Sequence, residues 1–406
     1  MKINSRTCVR YAARVVTALA PLLVALLMPL VATAAAVQLT VGGTANSFSA
    51  SVSDNGQRVV FYSASNLTGT NADTNFEVFL YDRPGNTLRQ ITNDPRGGSA
   101  GSQAPQISGD GSRIVYQHFE RGQNNTSLFQ TQAYDINSAS FTTLTPLGFF
   151  QMSDINRDGT KLSVNVDNLG LRIFDTATGS FGAVQAPGAL SHALSGDGKL
   201  LTFATQSGGL ALRDVDTGLT TTILSNGAVE NLRPSISADG KRVAFTSNRN
   251  LLGQNGDGNT EVYVYDVASA SLRQLTNTTT GNARSTSISG DGRRIAFSAF
   301  SNPLGSNADG NEEIFTYDLD DGLLTQVTQT SGSLFNFEAA LSADGRTLLY
   351  TSNSRASGGN GSTQIFLQDL PAMGQPVSEP PTLLLVASML MLAMRPGNRA
   401  ARAQRR

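Results

Sequence analysis

The sequence predicts an all-β fold, a seven-bladed β-propeller, and three observations lead to it. A short turn pattern recurs seven times, an alternating strand pattern follows each copy, and a further strand in each copy ends on Asp. No stretch between the two chain ends carries an amphipathic helical pattern, which argues against α/β folds. The 406 residues include 40 Gly, and 39% are hydrophobic, enough apolar material for a large packed core.

The recurring turn reads apolar residue, Ser or Asn, any residue, Asp or Asn, Gly. Asp-Gly or Asn-Gly between apolar segments is the strongest short-range hairpin signal, because the glycine must accept a positive φ. An alternating strand follows each turn, as in Arg242-Val243-Ala244-Phe245-Thr246. The seven turns are Ser53–Gly56, Ser108–Gly111, Asn156–Gly159, Ser195–Gly198, Ser237–Gly240, Ser289–Gly292 and Ser342–Gly345.

Each repeat has room for four strands. A strand ending in Asp comes after the turn, as in Val262-Tyr263-Val264-Tyr265-Asp266, and a short turn and a fourth strand follow it. Four-stranded units with a period of 39 to 55 residues indicate propeller blades, and seven copies indicate seven blades, with six blades as the alternative. The strand-ending residues are Asp82, Asp135, Asp175, Asp214, Asp266, Asp318 and Asp369.

The seventh unit lacks a fourth strand of its own. The prolines in 370–376, just after Asp369, suit no inner strand. Near the other end of the chain, Gln38-Leu39-Thr40-Val41 parallels Gln274-Leu275-Thr276, the fourth strand of another unit. We therefore expect the N-terminal strand, with Leu39, to complete blade seven and close the ring, which removes unpaired strand edges.

These repeats resemble the TolB-like, WD-type propeller repeats over about residues 38 to 370. The resemblance rests on the Ser-x-Asp-Gly turn and on strands that end in Tyr-x-Tyr-Asp. It implies the propeller fold and says little about function, since propellers host many functions. TolB itself has six blades and a separate N-terminal domain, so its own partners are not implied for this chain.

Residues 1–36 have the layout of a secretory signal peptide. Four basic residues precede an apolar run at 15–31, and small residues follow at 32–36, with cleavage expected after Ala34 or Ala36. An uncleaved membrane anchor is the alternative. The only cysteine, Cys8, lies in this segment, so the exported part is expected to contain no thiol, disulfide or Cys-ligated metal.

The C-terminal segment, 371–406, consists of a linker and a sorting pattern. The apolar run 383–394 would span about 18 Å as a helix, less than a hydrocarbon core of about 30 Å, and five Arg residues follow it. Residues 377–385, with Glu379 and Pro380, resemble the PEP-CTERM sorting signal. The resemblance implies an exosortase-type enzyme as a partner, in Gram-negative bacteria that make exopolysaccharide. A tail anchor that is never removed is the alternative.

These end segments predict where the protein goes. We expect export through the Sec pathway, anchoring in the inner membrane through the C-terminal segment, and then release to the periplasm, the outer surface or the medium.

The region between the ends, 37–376, has 21 Lys and Arg against 30 Asp and Glu, a net charge of −9. Nucleic acid is therefore not expected as a partner, because it is a polyanion.

The propeller predicts where ligands would bind. Loops between blades lie at one mouth of the central channel, and polar side chains on them fit a small molecule or a glycan, although simple solvation of the channel explains them too. The candidate ligand-binding residues are Gln103, Gln151, His192, Arg233, Arg284 and Glu338.

Three loops repeat a polar pattern that suits a hard cation such as calcium. Oxygen ligands at alternate positions, in Asn-x-Asp-x-Asn followed by Glu, are typical of half of a calcium loop. The alternative is a set of Asx-turns, in which these side chains cap their own backbone. No other cofactor is expected. The candidate metal residues are Asn71, Asp73, Asn75, Glu77, Asn255, Asp257, Asn259, Glu261, Asn307, Asp309, Asn311 and Glu313.

Signals for catalysis are weak. The Gly-x-Ser-x-Gly pattern around Ser99 lies in a polar loop with no predicted helix after it, which a nucleophile elbow requires. The sequence contains two histidines, His118 and His192, and both are interpreted as ordinary polar side chains. The leading hypothesis is a non-catalytic binding or scaffold module of the cell envelope that recognises exopolysaccharide or an envelope protein. The alternative is a glycan hydrolase or lyase that uses channel carboxylates, with Glu338 as the candidate.

Overall fold

The computed structural model describes residues 35–121, 127–148, 150–166, 170–227, 232–354 and 360–373. They belong to one compact unit, Ala34–Met373. Nearly all of the expected signal peptide, and the sorting segment with Glu379 and Pro380, lie outside the described residues. In the described part of the chain, no helix has the length and apolar character needed to cross a bilayer.

The described residues form seven antiparallel sheets of four strands each. Blade 1 contains β2 (Ser47–Val52), β3 (Arg58–Ser63), β4 (Glu77–Asp82) and β5 (Thr87–Gln90), and blade 2 contains β6 (Ala100–Ile107), β7 (Arg113–Arg121), β8 (Ser127–Asp135) and β9 (Ser140–Thr143). Blade 3 contains β10 (Phe150–Ile155), β11 (Lys161–Val166), β12 (Gly170–Asp175) and β13 (Ser180–Ala186), and blade 4 contains β14 (Ala189–Leu194), β15 (Leu200–Thr205), β16 (Leu210–Asp214) and β17 (Thr220–Leu224).

The remaining blades follow the same order. Blade 5 contains β18 (Ser235–Ile236), β19 (Arg242–Ser247), β20 (Glu261–Asp266) and β21 (Ser271–Gln274), and blade 6 contains β22 (Ala283–Ile288), β23 (Arg294–Ala299), β24 (Glu313–Asp318) and β25 (Leu324–Gln326). Blade 7 contains β26 (Asn336–Leu341), β27 (Thr347–Ser354), β28 (Asn360–Asp369) and, as its outer strand, β1 (Val37–Gln38). A short 3-10 turn, Gly97–Ser99, connects blades 1 and 2.

The prediction of seven blades closed by the N-terminal strand is confirmed, and the six-bladed alternative is wrong. Val37 pairs with Leu367, and the amide of Leu39 donates to the carbonyl of Ile365 at 2.8 Å. Beside this pair, Thr40 Oγ1 donates to Gln364 Oε1 at 2.6 Å and accepts from the Ile365 amide at 3.1 Å. Two segments more than 320 residues apart in sequence are thereby joined.

The recurring turn connects the first and second strands of each blade, and its polar residues satisfy one another. In blade 5, Ser237 Oγ donates to Asp239 Oδ1 at 2.7 Å and accepts from the Arg242 amide at 3.1 Å. The side chain of Ser237 is fully buried, so its hydroxyl depends on these two bonds. The turn glycines have φ between 66° and 72°, as the hairpin signal predicts, at Gly56, Gly111, Gly159, Gly198, Gly240, Gly292 and Gly345.

Backbone hydrogen bonds between neighbouring turns form a closed ring, which we call the turn ring. Each blade donates one amide to a turn carbonyl of the next blade, and the last donor returns to blade 1, with N···O distances of 2.8 to 3.1 Å. The donor and acceptor pairs are Asp54 to Gly109, Asp110 to Arg157, Arg157 to Gly196, Gly196 to Ala238, Ala238 to Gly290, Asp291 to Ala343 and Ala343 to Asp54.

The apolar core is divided among the interfaces between blades. Among the described residues it forms seven clusters, and each joins two neighbouring blades. The cluster between blades 7 and 1, for example, packs Phe61 and Phe79 against Leu349 and Ile365. Phe61 and Phe79 also stack across their strands, with centroids 5.7 Å apart. The blades therefore stabilise each other, and closing the ring completes the last interface.

We expect Thr40→Val to destabilise the protein by about 1–3 kcal/mol, because it removes the nearer of the two donors to the buried Gln364 Oε1 and the acceptor of the Ile365 amide. Denaturant unfolding followed by fluorescence or circular dichroism measures this change. Thr221→Val, an exposed position on outer strand β17, is the matched control and should stay within about 0.5 kcal/mol of wild type. Equal effects of the two changes would contradict the proposed importance of the closure.

Candidate functional site

The first strand of each blade runs from the mouth of the channel to the turn ring, and in five of the seven blades an unusual residue lies in this strand or just before it, near the mouth. Each of these residues lies four positions before the turn Ser and has a positive φ, between 37° and 54°, although none is glycine. Non-glycine residues in this region are strained, and such strain is concentrated at functional sites. The five residues are Ser49, Ala104, Arg233, Ser285 and Glu338.

Four of these positions, all except Arg233, lie at β-bulges, which turn a side chain away from the regular alternation of the strand. The pairing register shifts between Arg284 and Ser287 in blade 6 and between Phe337 and Ala340 in blade 7. One of the predicted ligand-binding residues, Glu338, is itself a bulge residue, and another, Arg233, shares the positive φ. The bulge thus explains how a strand of the channel wall presents a long charged side chain at its mouth.

Three of the six predicted residues meet in one cleft of about 710 Å³ on blades 5, 6 and 7. They are Arg233, Arg284 and Glu338, and Glu312 and Phe337 line the same cleft. Arg233 Nη1 donates to Ser285 Oγ at 2.9 Å, which links blades 5 and 6. The other lining residues are Thr246, Asn248, Thr260, Asn282, Ala283 and Ser285.

Glu338 links blade 7 to blade 1. Its Oε2 accepts from the Ser49 amide at 3.0 Å and from Thr351 Oγ1 at 3.0 Å. Both donors point at one oxygen, and no bond to Oε1 forms within the described residues. The carboxylate is therefore held in place while keeping acceptor capacity for a ligand.

Glu312 is a cleft residue that sequence reasoning missed. Only 7% of it is exposed, and Ser298 Oγ donates to its Oε1 at 2.8 Å. Burial raises the pKa of Glu312, and the nearby Glu338 raises it further, whereas the Ser298 hydrogen bond, Arg284 and Arg233 act in the opposite direction. The alternation of side chains along a strand could have revealed it. Because Glu313 points into the blade, the side chain of its neighbour Glu312 points the other way.

Aromatic side chains lie beside the charged groups of the mouth. The Arg284 guanidinium lies 4.8 Å from the ring centroid of Phe300, a cation–π contact. On blade 1, Tyr62 packs edge-on against Phe76 at 5.2 Å and against Phe48 at 5.7 Å. Burial raises the pKa of Tyr62, and the charge of Glu338 adds to this effect, so this aromatic cluster lies next to the Glu338 side of the mouth.

Gln103 and His192 do not line this cleft. Gln103 is half-buried on β6, and the backbone of Gln151, on β10, pairs with that of Asn165 on β11. His192 is buried in β14, where burial lowers its pKa to about 4 despite a hydrogen bond with the Ser163 backbone. The cleft therefore occupies one side of the mouth, and no described residue of blades 2 to 4 lines it.

The wall of the channel also contains an acid that the sequence did not reveal. Asp154 on β10 accepts from the amides of Leu194 and Ile155, both at 2.9 Å, and so connects blades 3 and 4. Burial nevertheless raises its pKa to about 6, because two amide donors do not replace the water that the carboxylate has lost. Its ionised form is thus disfavoured in the folded protein.

The predicted metal residues lie on three loops of similar structure in blades 1, 5 and 6. Asn71, Asn75 and Glu77 are buried, and Asp73 is exposed and accepts from the Gly97 amide at 3.2 Å. The loop of blade 6 repeats this arrangement, with Asp309 accepting from the Gly332 amide at 2.8 Å. In the loop of blade 5, Asn259 is half-buried, and Asp257 shows no bond of this kind within the described residues. Among the described residues, no group of three or more His, Cys, Asp or Glu side chains is placed to hold a metal ion.

The serine pattern has no helix behind it, because β6 begins at Ala100 directly after the 3-10 turn. One histidine, His118, lies among charged partners outside the mouth. Its Nε2 is 3.0 Å from Arg96 Nη2 and 3.3 Å from Glu120 Oε1, and Arg96 also bonds Asp94 at 2.6 Å. This cluster joins blade 2 to the preceding loop through ion pairs.

We expect Asp154→Asn to stabilise the protein at pH 8 by up to about 3 kcal/mol and to change little at pH 4. A folded pKa of about 6, against an ordinary value near 3.8, means that the folded state keeps a proton that the unfolded state has released between pH 4 and 6. Stability therefore falls as the pH rises through this window, and asparagine removes that loss while still accepting from the Leu194 amide.

Denaturant unfolding at pH 4, 6 and 8 measures this effect. His192 titrates in both proteins, so the difference between them isolates Asp154. Asp321→Asn, in an exposed hairpin turn, is the matched control and should show no such pH dependence. A destabilisation of the Asp154 variant by the same amount at every pH would contradict the interpretation.

Comparisons with known proteins agree with this fold. The model of the TolB beta propeller domain matches residues 180–399. No curated protein matches the chain. A solved oligogalacturonate lyase in complex with manganese superimposes with a TM-score of 0.58 and 16% identity, covering 84% of this chain and 94% of that one.

Two peptidase structures share the fold as well. The beta-propeller domain of the Trilobed protease from Pyrococcus furiosus has a TM-score of 0.58 and 14% identity, covering 82% of this chain and all of that one. An acylaminoacyl peptidase has a TM-score of 0.55 and 13% identity, covering 84% of this chain and 54% of that one. These likenesses show the fold alone, whereas the family model matches more than half of the sequence. The chain belongs to the TolB beta propeller domain family.

Proposed function

We propose that this protein is an exported binding module that recognises an oligosaccharide of the cell surface at the mouth formed by blades 5, 6 and 7. The observation that carries the proposal is the cleft in which Arg233, Arg284, Glu312 and Glu338 converge beside Phe337. Sugar hydroxyls pair well with planar charged and amide groups, and the apolar faces of sugar rings pack on aromatic side chains. A size of about 710 Å³ suits a few sugar units.

The charges of the cleft favour a glycan that carries carboxylates. Arg233 and Arg284 are exposed at the mouth, and arginine binds carboxylates through two parallel hydrogen bonds. The similarly folded oligogalacturonate lyase is named for an acidic sugar chain, which is compatible with this choice. The net charge of −9 between the chain ends opposes long polyanions, so a short acidic segment, bound locally by the two arginines, fits better than an extended one.

Export and sorting complete the proposal. A signal peptide at 1–36 would direct the chain through the Sec pathway, and the PEP-CTERM-like segment with Glu379 and Pro380 would hold it in the inner membrane until an exosortase-type enzyme releases it. Exopolysaccharide would then be present where the protein arrives. An envelope protein is the other partner class that such a location offers.

The second candidate function is glycan cleavage. Glu312 and Glu338 line the same cleft, burial raises the pKa of Glu312, and a pair of carboxylates in different environments is what acid–base cleavage of glycans requires. The fold leaves both functions open, because a lyase and peptidases share it.

We expect the mature full-length protein to bind acidic oligosaccharides on a glycan array, and Arg284→Ala to weaken that binding at least about tenfold when measured by calorimetry. Arg346→Ala, exposed at the turn-ring end, is the matched control and should leave affinity unchanged. Absence of binding to any glycan, or equal effects of the two changes, would contradict the proposal.

Product analysis separates binding from cleavage. For a binding module, the bound oligosaccharide remains intact after prolonged incubation. Release of shorter products that stops in Glu338→Gln, while binding of the substrate persists, would favour the enzyme instead.

A further inference from the structure

Four blades carry a stacked aromatic pair in the middle of their sheets. The two rings lie opposite each other on the second and third strands, with centroids 5.4 to 5.7 Å apart and planes within 15° of parallel. Such pairs bury a large apolar area and help to fill the space between blades. The pairs are Phe61 with Phe79, Phe245 with Tyr263, Phe297 with Phe315, and Tyr350 with Phe366.

Blade 2 replaces this pair with a tyrosine and a glutamine. Tyr116 and Gln132 lie at the equivalent paired positions, and Tyr116 Oη donates to Gln132 Oε1 at 2.7 Å. Gln132 Nε2 in turn donates to Gln130 Oε1 at 2.8 Å. Gln130 Nε2, at the end of this chain of hydrogen bonds, donates to no residue in the described ranges. The chain therefore runs along β8 toward the mouth and ends in an unused donor.

The next pair toward the mouth is polar as well. His118 lies opposite Gln130, whereas blades 1, 5 and 6 place a small residue opposite a buried glutamate at this position. Strands β7 and β8 have nine residues each, three more than β3 and β4 of blade 1. The hairpin of blade 2 is therefore longer by about 10 Å and forms a wall beside blade 1.

These differences leave a cleft of about 620 Å³ between blades 1 and 2. The face of β7 and β8 lines one side, and the connection 91–96 of blade 1 lines the other. Phe141, on outer strand β9, also lines the cleft and is 55% exposed, although its ring packs on Tyr134 at 4.8 Å. A blade that gives up packing which the other blades share is expected to have gained a function there.

The charged groups of this cleft compensate each other in part. Arg96 pairs with Asp94 at 2.6 Å and with Glu120 at 2.8 Å. These hydrogen bonds hold the pKa of both carboxyl groups below the ordinary value, so both are ionised at neutral pH. Two carboxylates against one arginine disfavour an acidic ligand, and a cationic ligand would have to compete with Arg96. An uncharged polar ligand fits this balance best.

We propose that the cleft between blades 1 and 2 binds the uncharged sugar units of a glycan, as a second site separate from the mouth cleft. Gln130 Nε2 donates to one sugar hydroxyl, and Glu120 accepts from another through Oε2, which forms no bond within the described residues. Phe141 packs on the apolar face of a sugar ring. A sugar hydroxyl both donates and accepts, so one ligand satisfies both polar groups.

The length of the cleft suits a short oligosaccharide. Tyr134, against which Phe141 packs, lies four residues from Gln130 on β8, a distance of about 13 Å along an extended strand. A ligand that contacts both ends therefore contains more than one sugar unit. The site needs neither the mouth cleft nor an acidic glycan, so it goes beyond the proposed function.

The test titrates the mature full-length protein by calorimetry with neutral trisaccharides of glucose, mannose and galactose. At least one of them should bind with a dissociation constant of about 10⁻³ M or below. Gln130→Glu should weaken that binding about tenfold, because it removes the donors and keeps the oxygen that accepts from Gln132. Gln57→Glu, the same exchange at a half-buried position near the turn ring, is the matched control and should bind as wild type does.

Phe141→Ala tests the aromatic contact at the other end of the cleft. Loss of the exposed ring should weaken binding about fivefold. Leu219→Ala, an exposed apolar residue in the outer hairpin of blade 4, is its matched control and should leave affinity unchanged. Thermal melting of all four variants shows that each of them folds.

Two outcomes would overturn the proposal directly: no trisaccharide binds at about 10 mM, or each variant loses no more affinity than its control. Binding that is lost in Arg284→Ala but kept in Gln130→Glu would assign the neutral sugar to the mouth cleft, and so would also refute a second site. Neutral binding that depends on Gln130, in a protein that binds no acidic oligosaccharide, would support this site and refute only the proposed function of the mouth.

Discussion

The turn ring is the constraint on which the rest of the structure depends. Seven backbone hydrogen bonds join seven turns, so the residue between the turn Ser and Asp must lie close to its counterpart in the next blade. A Cβ added at Gly196 or Gly290 would come within 2.8 Å of Ala238 or 2.6 Å of Ala343, distances that real Cβ atoms do not reach. The turn-ring end of the channel therefore has a fixed geometry and a restricted set of residues. Differences between the blades occur at the other end, the mouth.

At the mouth of the channel, the blades differ in the length of their loops, and this difference creates the cleft. Blades 1, 5 and 6 carry long loops before their third strands, 64–76, 248–260 and 300–312, whereas blade 4 connects the same strands through 206–209. The residue just before each buried loop glutamate, Phe76, Thr260 or Glu312, faces the mouth. Charge and aromatic surface thus gather on one side of the ring, and the loops that hold them are the ones with buried glutamates.

Much of the fold could be predicted from the sequence, because the patterns that indicate it are local and repeated. The turns, the strand-ending Asp residues and the missing fourth strand of blade 7 predicted seven blades and their closure. Arg233, Arg284 and Glu338 could be assigned to the mouth because they lie in segments between blades, which a propeller places at one end of its channel. No sequence pattern indicated the bulge, since Ser49, Ala104 and Glu338 share no chemistry. The direction in which each of these side chains points depends on the bulge, so it could not be predicted either. Burial of the loop glutamates depends on packing between blades, which no single repeat reveals.

The closure strand has a mechanical consequence. The chain enters and leaves the toroid through neighbouring antiparallel strands, β1 and β28, and Val37 pairs close to the point where β28 ends at Asp369. Tension applied between the two ends would therefore break the hydrogen bonds between β1 and β28 one at a time, instead of loading all of them together. The ring would open at this one pairing, which resists little force. The six other sheets would bear the force only after β1 had separated from β28.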